Sequence, residues 1–174
     1  PPRSTLFPYT TLFRSLGGHV AAAGIRAVTV RGDLRNASIE ATSSHGLGAL
    51  TVLGEVSGSL LSSQGGVGVF TAVAVIDSHL NAGPADDPAS VGAIRVRGIR
   101  GQAVWTSGLH VSAAVVGSLI ASNPGLAQGD ALLLDVGGVG RLVYRDASQV
   151  ISRVTVSRAD LADISPAIDV YVRS

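Results

Sequence analysis

The 174-residue chain contains no cysteine and no methionine, and all 13 of its basic residues are arginine. Without cysteine there is neither a disulfide framework nor a thiolate metal site, which excludes zinc-ribbon and thiol chemistry. Without lysine there is no amine to act as a base. Aromatic residues are scarce, with 1 Trp, 3 Tyr and 3 Phe, so a core has to be made of Val, Ile, Leu and Ala in thin, repeated layers. Charge of one sign is also missing: 13 Arg against 12 acids leave a formal +1, too little to attract nucleic acid or an anionic membrane. The apolar runs, such as Val67 to Ile76, stop short of the roughly 18 residues that a transmembrane helix needs. What is present is 46% apolar residues and 22 glycines, a composition that folds rather than stays disordered.

The first fifteen residues, PPRSTLFPYTTLFRS, differ in texture from everything after them. Thr5 to Ser15 resembles the in-frame translation of a common sequencing adapter, not a protein segment. On that reading residues 1–15 are an unstructured artefact to be set aside before fold reasoning. Residues 16–174 then form a single repeat domain with 11 Arg against 12 acids. This domain is expected to be a piece of a longer array, with its natural N-terminus and any signal peptide lying upstream.

Within 16–174 a unit recurs. IRAVTVRGDLRNASIEA from Ile25 is followed by LGALTVLGEVSGSLLS from Leu47, VGVFTAVAVIDSHLNA from Val67 and VGAIRVRGIRGQAVWT from Val91. First anchors are read at Val28, Leu50, Phe70, Ile94, Leu109, Leu132 and Val154, a mean spacing of 21 residues. Second anchors are read at Ile39, Leu60, Leu80, Val104, Leu119, Leu142 and Ile164, 10 or 11 residues after the first. Val20 reads as an earlier second anchor, and Ile168, Val170 and Val172 as a further strand. Alternation such as Val28-Thr29-Val30 marks a half-buried strand, and Gly32, Gly54 and Gly98 mark tight turns. Brief alternation, β-branched residues and repeated glycine argue against helices. The expected fold is all-β, a right-handed parallel β-helix of about seven coils stacked at roughly 4.8 Å. An antiparallel sandwich is the alternative.

The form seen in GALTVLGEVSGSLL from Gly48 resembles the degenerate repeats of large secreted or surface-attached bacterial proteins, the adhesins of filamentous-haemagglutinin and autotransporter-passenger type. The resemblance spans about Ile25 to Ser165. It implies a rigid, adhesive shaft at the cell surface, with surface glycans or neighbouring β-helix segments as partners and no cofactor. Two alternatives remain open: part of a carbohydrate-active β-helix enzyme, and a cytosolic polymer-forming solenoid similar to bactofilins.

Candidate sites are few. Asp33 and Glu55 take the same position on adjacent coils, but Val75 and Ile99 follow them, so a solvated turn pair is preferred to a catalytic dyad or calcium site. His19, His45, His79 and His110 are read at different coil positions, with His110 continuing the outward threonines Thr29, Thr51 and Thr71. That arrangement suggests neither a metal set nor a catalytic triad. The position after the second anchor, Glu40, Leu61, Asn81, Trp105, Ile120, Val143 and Ser165, would make an apolar strip. Trp105, Leu61 and Ile120 with Asp86 and Asp87 on the loop from Ala82 to Ser90 are the candidate ligand contacts, a tryptophan face being able to stack on a sugar ring. A second long loop, Ser122 to Asp130, is read on the other side of Trp105. Packing of the return loops over the strip is the competing reading, and the preferred one.

Overall fold

The computed structural model describes residues 11–98, 105–122, 132–145, 149–161, 163–164 and 168–170. In chain order the strands are β1 (Thr11–Phe13), β2 (Leu16–Ala22), β3 (Ile25–Val30), β4 (Leu34–Ala41), β5 (Leu47–Val52), β6 (Glu55–Ser57), β7 (Leu60–Ser63) and β8 (Val67–Ala72). They continue as β9 (Ala74–Ala82), β10 (Val91–Val96), β11 (Thr106–Ala113), β12 (Val116–Ser122), β13 (Leu132–Val136), β14 (Gly138–Arg145), β15 (Val150–Ser157), the short helix α1 (Arg158–Leu161) and β16 (Ile168–Val170).

Chain alternation between two faces gives two sheets. The first runs β1, β3, β5, β8, β10, β12, β14, β15 and the second β16, β13, β11, β9, β6, β4, β2, with β7 beside β4 and β9. Among the described residues every strand pairing but one is parallel. The exception is β15, which lies antiparallel on β14. The molecule is therefore a parallel β-solenoid of about five turns, flanked by β1 and β2 at one end and by β14 to β16 at the other. The sandwich alternative is excluded, because parallel in-register rungs link each coil to the next.

The core is a stack of aligned apolar columns. On the first sheet Val28, Leu50, Phe70, Ile94, Leu119 and Leu142 stand one above another. On the second, Val20, Ile39, Leu61, Leu80, Val111 and Leu134 do so. All but Val20 are buried. Apolar side chains meet apolar side chains at each rung, with Phe70 the one ring among the aliphatic residues of these two columns, and this burial is the main stabilising term.

This register corrects three sequence expectations. The coil count is lower than seven because Leu109 and Leu132 lie on the second sheet, opposite Ser78 and Ile168 respectively. Leu119 and Leu142 belong to the first. The two half-coils exchange lengths after β10: the turn from Val111 to Leu119 spans 8 residues, whereas Ile94 to Val111 spans 17. A ten-residue offset therefore links the sheets in either order, and the phase slips unseen. Second, the anchor on the third second-sheet rung is Leu61, 1% exposed, not Leu60, 41% exposed. Third, Val154 is no anchor: it is 75% exposed on antiparallel β15. Val104 and Val172 lie outside the described residues.

The segment set apart at the N-terminus is not wholly without structure. Thr11–Phe13 pairs with Val28 to Val30, and Phe13 packs against the core.

The second sheet bends at one column. Asn36, Gly58, Asp77 and Gly108, on successive coils, all have positive φ, from 45° to 64°. Gly, Asn and Asp tolerate this left-handed region. The bend interrupts ladder bonding, and buried serines beside it restore the partners. Ser59 Oγ donates to Ser57 O at 2.9 Å and accepts from Ala37 N at 3.2 Å. Ser78 Oγ donates to Ile76 O at 2.8 Å and accepts from Ser59 N at 3.2 Å.

Candidate functional site

The outward face of the second sheet beyond this bend carries most of the polar chemistry. Outward residues recur every second position, so β9 presents Asp77, His79 and Asn81, while β11 presents Gly108, His110 and Ser112. Registered rungs put His79 beside His110, and Asn81 beside Ser112 and then Asp135. The two imidazoles are 5.1 Å apart between centroids and tilted by 55°. They line a groove of about 430 Å³ with Asp77, Ser107, Gly108 and Leu133. The adjoining hollow continues past Asn81 and Ser112 to Asp135. Gly108 matters locally, because a Cβ there would meet Asp77 Oδ1 at 2.5 Å. Its bare Cα gives the Asp77 carboxylate room at the head of the groove.

At the far end, Asp135, 8% exposed, accepts from Ser112 Oγ at 3.4 Å and from Arg158 Nη2 at 3.3 Å. Arg158 opens α1, where Ser157 and Asp160 form a capping box: Asp160 N donates to Ser157 Oγ at 3.3 Å and Ser157 N donates to Asp160 Oδ2 at 3.4 Å, with Ser157 Oγ also donating to Asp160 Oδ2 at 2.6 Å. The ion pair thus ties the segment after β15 to the flank of the solenoid. Arg158→Ala is expected to lower unfolding stability by about 1–2 kcal/mol, discounted from a fully buried pair because the arginine side chain is 38% exposed. Chemical denaturation at low and high salt checks this, with a smaller loss expected at high salt.

The histidine reading is corrected here. His19, His79 and His110 share one second-sheet ladder with Ser38, Leu60 and Leu133. Only His45 stands apart, in a turn where its Nδ1 is 3.2 Å from Ser43 Oγ. His110 does not continue the threonines, since Thr29, Thr51 and Thr71 belong to the first sheet. The phase slip concealed the pair.

Asp33 and Glu55 are adjacent, as read. Asp33 Oδ1 accepts from Glu55 N at 2.9 Å, and Arg35 Nη2 lies 2.9 Å from Asp33 and 3.8 Å from Glu55. The next rung carries Ala74, not Val75. The cluster is a solvated turn bridged by arginine, worth little to stability.

The apolar strip does not form. Glu40, Ser62, Asn81, Ser112 and Asp135 make that column on the second sheet. Leu61 points into the core. Ile120 and Val143 are on the first sheet beyond Arg95. Trp105 precedes β11 and its ring lies against Gly98, whose φ is 76°; it is partly buried against the core. The loop with exposed Asp86 and Asp87 meets the other end of β11, where Ala114 N donates to Ala89 O at 2.9 Å. Trp105, Asp86, Asp87, Leu61 and Ile120 are therefore not brought together. Ser165 and residues 123–131 lie outside the described residues.

No family model, curated protein or solved structure matches the chain. Among the described residues no helix is long and apolar enough to cross a membrane.

Proposed function

We propose that the chain is a non-catalytic shaft segment of a secreted or cell-surface bacterial β-solenoid protein, holding loops along its flank toward surface glycans or neighbouring solenoid segments. The observation that carries this reading is the register. Apolar columns run unbroken from Val28 to Leu142 on one sheet and from Ile39 to Leu134 on the other. In a solenoid each coil contacts only its neighbours, so such columns extend length at constant cross-section. The loop bearing Asp86 and Asp87 projects from that wall.

A second reading, part of a carbohydrate-active enzyme, draws on the groove in which Asp77, His79 and His110 lie along the wall from the Asp135 and Arg158 pair. One experiment separates the two. The purified chain is incubated with a panel of neutral and acidic polysaccharides while its resistance to a broad protease is followed. Intact polysaccharide and a persistent chain are expected. Release of new reducing or unsaturated ends that disappears in His79→Ala would replace the shaft with the enzyme.

A further inference from the structure

We propose that His79 and His110 form a two-imidazole site for a divalent transition metal, bridging two successive rungs of the second sheet. The inference does not depend on the shaft reading.

Three observations carry it. The two residues are directly registered on parallel neighbouring strands, so backbone hydrogen bonds fix the separation of their Cα atoms. Both side chains stand on the outward face and line one groove, which leaves room for water to complete a coordination shell. The rings are tilted rather than stacked face to face, with centroids 5.1 Å apart. A metal about 2.0–2.1 Å from each ring nitrogen spans a gap of about 3–4 Å between them, which rotation of the two side chains closes without moving the backbone.

Imidazole suits copper, nickel and zinc, and affinity for such sites rises toward Cu²⁺. The proposed site has two protein ligands, His79 and His110, with solvent completing the shell; among the described residues no group of three or more His, Asp or Glu is placed to hold a metal. Asp77 lines the same groove, where its carboxylate is placed to accept a hydrogen bond from a ring N–H or a metal-bound water. The other histidines serve as internal controls. His19 is separated from His79 by the Ser38 and Leu60 rungs and lies 3.8 Å from Glu40, and His45 is held in its turn by Ser43.

The test titrates the full chain with Cu²⁺ and separately with Ni²⁺, following heat and the visible ligand-field spectrum. One high-affinity equivalent is expected, tighter for Cu²⁺, with the thermal midpoint raised at saturation because only the folded chain presents both rings at once. His79→Ala and His110→Ala should each lose at least tenfold in affinity and the midpoint shift, while His19→Ala and His45→Ala keep both. His79→Asn and His110→Gln repeat the test with polar replacements if either alanine variant loses its circular-dichroism spectrum. Equal affinity in the wild type and the His79 and His110 variants, or a loss that follows His19 or His45 instead, would overturn the assignment.

Discussion

Gly68→Ala is expected to destabilise the chain by about 2–3 kcal/mol, or roughly 3 °C of midpoint for each kcal/mol in a chain of this size. The reason is a column that only glycine can fill. Gly48, Gly68, Gly92 and Gly117 are the second residues of four first-sheet strands, and Gly140 is the third residue of a fifth. A Cβ at any of them points at the carbonyl oxygen one coil below: Arg26 for Gly48, Gly48 for Gly68, Gly68 for Gly92, and 2.6 Å from Gly92 and Gly117 for the last two. The obstacle is backbone, which cannot rotate away. A methyl group there has to pry apart two coils joined by ladder bonds. Gly17→Ala is the matched control. Its Cβ would meet Arg35 O at an ordinary 3.5 Å, and its expected cost is within about 0.5 kcal/mol. Thermal unfolding of the two variants beside the parent checks both. Equal losses would mean that the coils are spaced more loosely at the glycine column than the geometry gives.

The second large effect separates neighbours in sequence. Leu61→Ala should cost about 3 kcal/mol, within the 2–5 typical of a buried leucine replaced by alanine, since Leu61 sits between Ile39 and Leu80 in the interior. Leu60→Ala should cost less than about 0.5 kcal/mol, because Leu60 faces solvent between Ser38 and His79. Denaturant midpoints of the two variants decide the register. If Leu60→Ala were the damaging change, the strand would be paired one residue out of step, and every outward side chain on it would have to face inward.

These two leucines show how far the sequence could be read. Pattern and spacing identified short strands, tight glycine turns and stacked coils, and they placed Val28, Leu50, Phe70 and Ile94 in one column. The pairing of Asp33 with Glu55 was also legible, because both follow a first strand at the same distance. Three features were not. Adjacent leucines offer the same hydrophobicity to either face, so only cross-strand bonding selects Leu61. A ten-residue offset runs from first sheet to second between Phe70 and Leu80 and from second to first between Leu109 and Leu119, so the slip after Ile94 put Leu109 on the wrong sheet in the reading. That slip separated His79 from His110, which are 31 residues apart in the chain and one rung apart in space.

By itself, then, the amino-acid sequence determined an all-β chain and made stacked coils the expected architecture, because an aliphatic, glycine-rich, period-two pattern recurring about every twenty residues buries its apolar face well by stacking coil on coil; the parallel register then excluded the sandwich. It also determined the materials, excluding thiolate sites, disulfides and a large aromatic core. The tertiary structure alone decided the phase of the later coils, the antiparallel turn of β15, the Arg158 and Asp135 tie, and the facing imidazoles. The physical reason is that a repeat specifies which residues are alike, while hydrogen-bond register specifies which of them meet. Local pattern carries the first, and only contacts between residues far apart in the chain carry the second.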